Sequence, residues 1–140
     1  MRVLFDTNVL MDVLLEREPF VDASARVMDQ VARGTITGLI GATTVATIFY
    51  LASRTVGSKH VMRQIEKLMA LYEVAPVTRS VLEAAISSKS ADFADAVLAE
   101  AAHQAGAQSI ITRNIKGFAR SRVRAYTPKQ WLATPLSTPI

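Results

Sequence analysis

SADFADAVLAEAAHQAGAQSIITRN, residues 90–114, is the stretch from which the fold is read. Ser90 or Asp92 offers a side-chain cap, and Phe93, Ala96, Val97 and Ala101 recur at helical spacing as an inner stripe. Gly106 ends the helix. Within a few residues Ser109, Ile110, Ile111 and Thr112 form a short run of the kind a buried strand presents. A helix that hands directly to a buried strand is the unit from which parallel sheets are built. The N-terminus, MRVLFDTNVLMD (residues 1–12), shows the reverse order. Arg2 to Phe5 reads as a buried strand that stops at an acid, Asp6. Behind Thr7 and Asn8, both good cap residues, Val9, Leu10, Val13 and Leu14 fall at helical spacing.

The rest of the chain repeats the alternation. A helix is predicted from Val21 to Ala32, with Ala25, Val27, Met28 and Val31 inward and Gly34 as its stop. TGLIGATT (37–44) reads as a second strand centred on Leu39 and Ile40, after which Thr43 or Thr44 caps a helix through Val45, Ile48, Phe49 and Leu51. Another helix is expected from about Lys59, carrying Val61, Ile65, Leu68 and Met69 on one face. YEVAPV (72–77) is a third strand that Pro76 assigns to an edge or a strand end. A short helix runs from Val81 to Ile86. VRAYT (123–127) is the last strand, and Pro128 opens a terminal helix holding Trp131 and Leu132. The expectation is a three-layer α/β fold, a mostly parallel central sheet flanked by helices. Residues 1–133 form one domain and residues 134–140 an unstructured tail.

The chain has 140 residues, half of them hydrophobic and a fifth charged, which is the composition of one globular domain. No apolar run approaches the roughly 20 residues of a membrane span, so no membrane association is expected. With no cysteine, disulfides, thiolate metal sites and thiol nucleophiles are excluded, and a cytoplasmic setting is expected. The net charge is +4. Between Arg113 and Arg124 lie Lys116, Arg120 and Arg122 with no acid among them. Such a run is either a solvated basic face or a contact for a polyanion.

In an open parallel sheet, ligands bind beyond the carboxyl ends of the strands. Asp6 follows the first strand, Asn114 lies two residues past Thr112, and Asp92 and Asp95 sit in the first turn of the helix that feeds that strand. Each acid also has a structural reading. Asp92 and Asp95 suit a helix start, where free amides and the dipole stabilise carboxylates, and Asp6 can cap the helix after it. Asp12 is either at the same mouth or solvated. Carboxylates gathered in one place repel unless a cation joins them, and hard oxygen ligands select Mg²⁺ or Mn²⁺. An ion of that kind lowers the pKa of bound water and neutralises a phosphate oxygen, so acids beside a basic approach point to phosphodiester hydrolysis. His60 and His103 have no neighbouring ligands and read as structural or surface residues. No Gly-x-Ser-x-Gly elbow and no glycine-rich phosphate loop occurs. An aspartyl phosphatase of the haloacid-dehalogenase type would need a second Asp where Asn8 stands, and a receiver domain would need an acid after the central strand.

DTNVLMDVLLEREPF, ATTVATIFYLASR, DFADAVLAEAAHQAGAQSIITRNIKGF and YTPKQWL together resemble the PIN domain, in its bacterial VapC-like group, over about residues 2 to 132. The resemblance implies a PIN fold, a ribonuclease centre dependent on Mg²⁺ or Mn²⁺, an RNA substrate, a cognate antitoxin and a homodimer. It assigns Asp6 and Asp95 as the metal-binding acids, Asp92 as an auxiliary acid, and Asn114 as the Asp-or-Asn position after the late strand. Thr112 matches the hydroxyl before it. Arg113 is similar to the basic residue common there, and Lys116 and Arg120 join it as expected contacts to the RNA backbone. Three positions depart from the pattern: Thr47 replaces a glutamate, Ala94 stands where Glu is usual and Gly117 where Asp is. Each removes a negative charge, so metal binding weaker than usual in the family is expected.

Overall fold

The computed structural model describes residues 1–137. Five strands, β1 (Arg2–Phe5), β2 (Thr37–Gly41), β3 (Glu73–Ala75), β4 (Ser109–Ile111) and β5 (Arg124–Tyr126), form one sheet in the order β3-β2-β1-β4-β5. Every neighbouring pair is parallel. β1 lies at the centre, and Val3, Leu4 and Phe5 are all fully buried, as a strand covered on both faces requires. Their alternation divides the core. Val3 and Phe5 share one cluster with Ile40 and Ile111, covered by Val9 and Leu10 of α1 (Thr7–Leu14), Val27 of α2 (Val21–Ala32) and Ile48 of α3 (Ala42–Val56). Val61 of α4 (Ser58–Leu71) and Trp131 of α7 (Pro128–Ala133) complete that side. Leu4 instead joins Leu39 and Ile110 beneath Val81 of α5 (Arg79–Ser87) and Ala96, Val97 and Ala101 of α6 (Phe93–Gln104). The fold is therefore the three-layer α/β arrangement expected, with a sheet that is parallel throughout.

Local chemistry sets the boundaries, and several differ from the sequence reading. Of the caps the sequence offered, Asp6 and neither Thr7 nor Asn8 caps α1, its carboxylate accepting from the Thr7 amide. α3 starts behind Gly41, before either threonine expected to cap it; Thr44 is buried and its hydroxyl meets that of Thr7 at 2.9 Å. Gly57, at φ 85°, ends α3 and opens α4, a backbone conformation that favours glycine. Phe93 is 51% exposed and takes no part in an inner stripe. It is the first residue of α6, ahead of the stretch that buries nearly every residue from Asp95 to Ala102 between sheet and α5. β3 is an edge strand, as Pro76 suggested. The unstructured tail does not begin at residue 134. Pro135–Ser137 make a 3-10 turn on α2, where the Ser137 carbonyl accepts from Gln30 Nε2 at 3.2 Å. Residues 138–140 of the expected tail lie outside the described residues. Among the described residues, no helix is long and apolar enough to cross a membrane.

Candidate active site

Two parallel strands that neighbour each other deliver their ends to one place. Leaving β1, Asp6 is 3% exposed, and its backbone amide donates to the Ile111 carbonyl of β4 at 2.9 Å. Its carboxylate is held at both oxygens: Oδ1 accepts from the Thr7 amide at 2.8 Å and Oδ2 from the Thr112 hydroxyl at 2.7 Å. Burial nevertheless raises its pKa above the ordinary value, outweighing these hydrogen bonds; the Asp92 charge pushes the same way and Arg113 opposes it.

The same threonine continues the network. Thr112 Oγ accepts from the Asn114 amide at 2.9 Å, and Asn114 Nδ2 donates to Asp95 Oδ2 at 2.8 Å. A continuous chain of hydrogen bonds thus runs Asp6–Thr112–Asn114–Asp95, bringing together groups from β1, β4 and α6. Asp92 is the N-cap of α6, its Oδ1 accepting from the Asp95 amide at 3.0 Å, and remains exposed at the mouth. Its capping role and its place beside the other acids are compatible. Burial first, then the charges of Asp6 and Asp92, push the Asp95 carboxyl up to about 6.

Gly117 closes the wall behind Asp95. A Cβ there would lie 1.9 Å from Asp95 Oδ2 and 2.5 Å from Asn114 Nδ2. The aspartate usual at this position in the resemblance would collide with the pair, so its absence is coupled to the Asn114–Asp95 contact. Gly117→Ala is expected to break that hydrogen bond at a cost of about 1 kcal/mol, read as a lower urea midpoint together with a shifted Asn114 side-chain amide resonance.

Arg113 and Asp12 show what the sequence concealed. Asp12 is not solvated; it is 0% exposed. Arg113 clasps it, with Nε 2.6 Å from Oδ2 and Nη2 3.2 Å from Oδ1, and Arg17 approaches at 3.5 Å. The Arg113 guanidinium also lies over the Phe20 ring, 4.0 Å from its centroid. Its largest engagement is therefore inside the protein, since a buried carboxylate requires a partner. Lys116 is exposed just beyond Asn114, and Arg120 is exposed with Nη1 3.4 Å from the Ser88 carbonyl. Thr47 turns its hydroxyl back onto the Thr43 carbonyl at 2.9 Å, on the exposed side of α3.

The donor set fits a hard divalent cation. Asp6 and Asp95 present oxygen only, and burial, which raises the pKa of both, disfavours their charged forms unless a cation joins them. Among the described residues no three His, Cys, Asp or Glu side chains gather closely enough to hold an ion by themselves. One or two carboxylates, with the remaining positions left to water, are what Mg²⁺ commonly takes.

Compared with known families, residues 2–116 match the family model described as PIN domain. The chain belongs to the PIN domain family. Solved structures share the fold at low identity. The VapBC2 structure from Rickettsia felis, bound to a DNA fragment from its promoter, aligns with TM-score 0.71 and 16% identity over 91% of this chain and 98% of that one. FitAcB from Neisseria gonorrhoeae aligns with TM-score 0.69 and 20% identity over 91% and 98%. VapC20 from Mycobacterium tuberculosis, described as a sarcin-ricin loop cleaving toxin, gives 0.66 and 14% over 84% and 94%. Among curated proteins, none matches the chain. Within this PIN domain, Asp6, Asp95, Asp92 and Asn114 meet at the carboxyl edge of β1 and β4. Thr7 and Thr44 at the rim, Gly117 behind Asp95 and the Asp12–Arg113 pair are the features that the sequence reading missed. In sequence Thr7 and Thr44 read as caps, Asp12 as solvated or at the mouth, Arg113 as an RNA contact and Gly117 as a lost charge; the contacts among them are what the sequence does not show.

Proposed function

We propose that this PIN domain is a Mg²⁺- or Mn²⁺-dependent endoribonuclease acting as the toxin of a toxin–antitoxin pair in the cytoplasm. The observation that carries the reading is the hydrogen-bonded chain from Asp6 through Thr112 and Asn114 to Asp95, which holds two buried carboxylates in one centre. Asp6 and Asp95 would hold the ion, with Asp92 and Asn114 beside it. When bound, the ion would supply a water of lowered pKa and charge neutralisation at a phosphate oxygen. Thr112 and the Thr7 amide fix the Asp6 carboxylate, and Asn114 fixes that of Asp95, so neither has to reorganise as substrate arrives. Lys116 and Arg120, both exposed, meet the RNA backbone. For protein partners, a cognate antitoxin and a second copy of the chain, we assign the exposed apolar side chains of α3 and α4, Tyr50, Leu51, Met62 and Met69.

The test is cleavage of total RNA with each metal. We expect cleavage that EDTA abolishes and that Asp6→Asn lowers at least about 100-fold, the scale of removing one preorganised charged group. A second reading, an RNA-binding module that does not cut, is favoured by the Thr47 hydroxyl being spent on the Thr43 carbonyl and by the missing acids at 94 and 117. RNA that is bound with a steep salt dependence but never cut, and bound as well by Asp95→Asn, selects this reading and rejects the first.

A further inference from the structure

A cavity of about 450 Å³ lies at the same edge of the sheet, lined in part by Arg113, the residue between Thr112 and Asn114 of the acidic centre. β4 and β5 are parallel neighbours with Ile111 opposite Tyr126, so the segments beginning at Thr112 and Thr127 leave the sheet side by side. Arg113 and Lys129, on those two segments, are the charged residues lining the cavity, and both are basic. Phe20, Ala23 and Ser24, from the start of α2 and the turn before it, supply its inner surface.

Three features define what it can hold. The wall is mainly apolar and includes an aromatic ring. The Ser24 hydroxyl is wholly buried, lines the cavity and has no hydrogen-bond partner among the described residues, a state that native proteins rarely leave uncompensated. Arg113 spends Nε and Nη2 on Asp12, while Nη1 makes no hydrogen bond among the described residues, and Lys129 is exposed. A flat ring with polar edges, carried on a phosphate, satisfies all three. The volume also suits one such unit, since small-ligand sites span roughly 300–1,000 Å³.

We propose that this cavity is a nucleotide subsite, receiving the base of a nucleotide adjacent to the bond held at Asp6 and Asp95. Ser24, out of reach of solvent in this structure, bonds the edge of the base once the side chains over it part to admit the ring, and Lys129 with Arg113 Nη1 meets the phosphate. The subsite rests on the nuclease reading for its purpose, and it gives that reading a means of choosing where RNA is cut.

The test is a binding measurement that needs no cleavage. AMP, GMP, CMP, UMP and ribose 5-phosphate are each titrated into the parent protein and into Asp6→Asn, followed by amide NMR shifts. At least one nucleotide should move the amides of Phe20, Ser24 and Lys129, equally in both proteins and more tightly than ribose 5-phosphate. Ser24→Ala should weaken that nucleotide about five-fold, leave ribose 5-phosphate unchanged, and melt no lower than the parent, because the hydroxyl removed had no partner. Lys129→Ala should weaken nucleotides and ribose 5-phosphate alike. The proposal is overturned if these amides stay still at millimolar nucleotide, if ribose 5-phosphate binds as well as every nucleotide, or if only a protein partner moves them. Nucleotide binding here without RNA cleavage by the parent would leave the subsite standing and remove the nuclease reading. Cleavage with an indifferent cavity would do the opposite.

Discussion

Arg113→Met should lower the unfolding free energy by about 3–5 kcal/mol, the cost of leaving a buried charge without its partner. Asp12 has no exposure to water, and both of its oxygens depend on the Arg113 guanidinium. Arg17 remains at 3.5 Å, but its side chain is 40% exposed and its contact longer, which places the loss at the lower end of that range. Methionine preserves apolar contact with Phe20, so the change isolates the charge. In urea the midpoint should fall while the slope stays constant. Combining the change with Asp12→Leu should recover most of the loss, because the requirement for a partner disappears with the carboxylate. A single variant within about 1 kcal/mol of the parent would show that Asp12 keeps its hydration or neutralises itself, and that the clasp holds nothing together.

Asp95→Asn should act in the opposite direction, making the metal-free protein more stable at neutral pH while abolishing cleavage. The Asp95 carboxyl titrates near 6 in the folded protein against an ordinary 3.8. A group with a raised folded pKa binds its proton more tightly when folded. The contribution of this one group is therefore greatest at the acid end, declines as pH rises through that window, and is gone above it. The amount lost between the acid end and neutral pH is about 1–3 kcal/mol. Asparagine keeps the shape and can still accept from Asn114, so the variant should lose this pH dependence and converge with the parent near about pH 4. The same substitution at Asp6 is less clean, because both of its oxygens already accept hydrogen bonds, from Thr7 and Thr112. Mg²⁺ or Mn²⁺ should raise the melting temperature of the parent and not of Asp95→Asn; at a hundred-fold excess over Kd the gain is about 2.7 kcal/mol. Equal melting curves for parent and variant from acid to neutral pH would contradict the raised Asp95 pKa that burial and the neighbouring acids produce. Stability given up where function sits is common among enzymes.

The alternation of strands and helices was legible because buried parallel strands are apolar on both faces, and because Asp92 and Gly106 punctuate α6. Asp6 and Asp95 were legible as candidates for a topological reason: a strand end and the helix before its neighbour must meet at one edge if the strands are parallel. What escaped was whatever depends on contact between distant residues. Asp12 looked solvated because its partner, Arg113, lies 101 positions away. The same distance hid that two of the three Arg113 guanidinium nitrogens are taken by Asp12. Thr44 was read as a local cap, whereas its hydroxyl reaches Thr7, 37 positions away. Phe93 followed helical spacing, but α6 is buried so widely by small alanines that the large ring is left outside at its first turn. Gly117 carries no sign in one dimension of how closely its backbone passes Asp95.

The central position of β1 has a consequence for how the molecule is made. β1 is synthesised well before its second neighbour, β4, which begins only at Ser109. Thr112, which clamps Asp6, follows 106 positions behind it. A growing polypeptide that has not passed this point has an open edge on β1 and an Asp6 without its threonine. On the nuclease reading proposed above, a nascent polypeptide that has not reached Thr112 lacks the clamped Asp6 on which cleavage would rest.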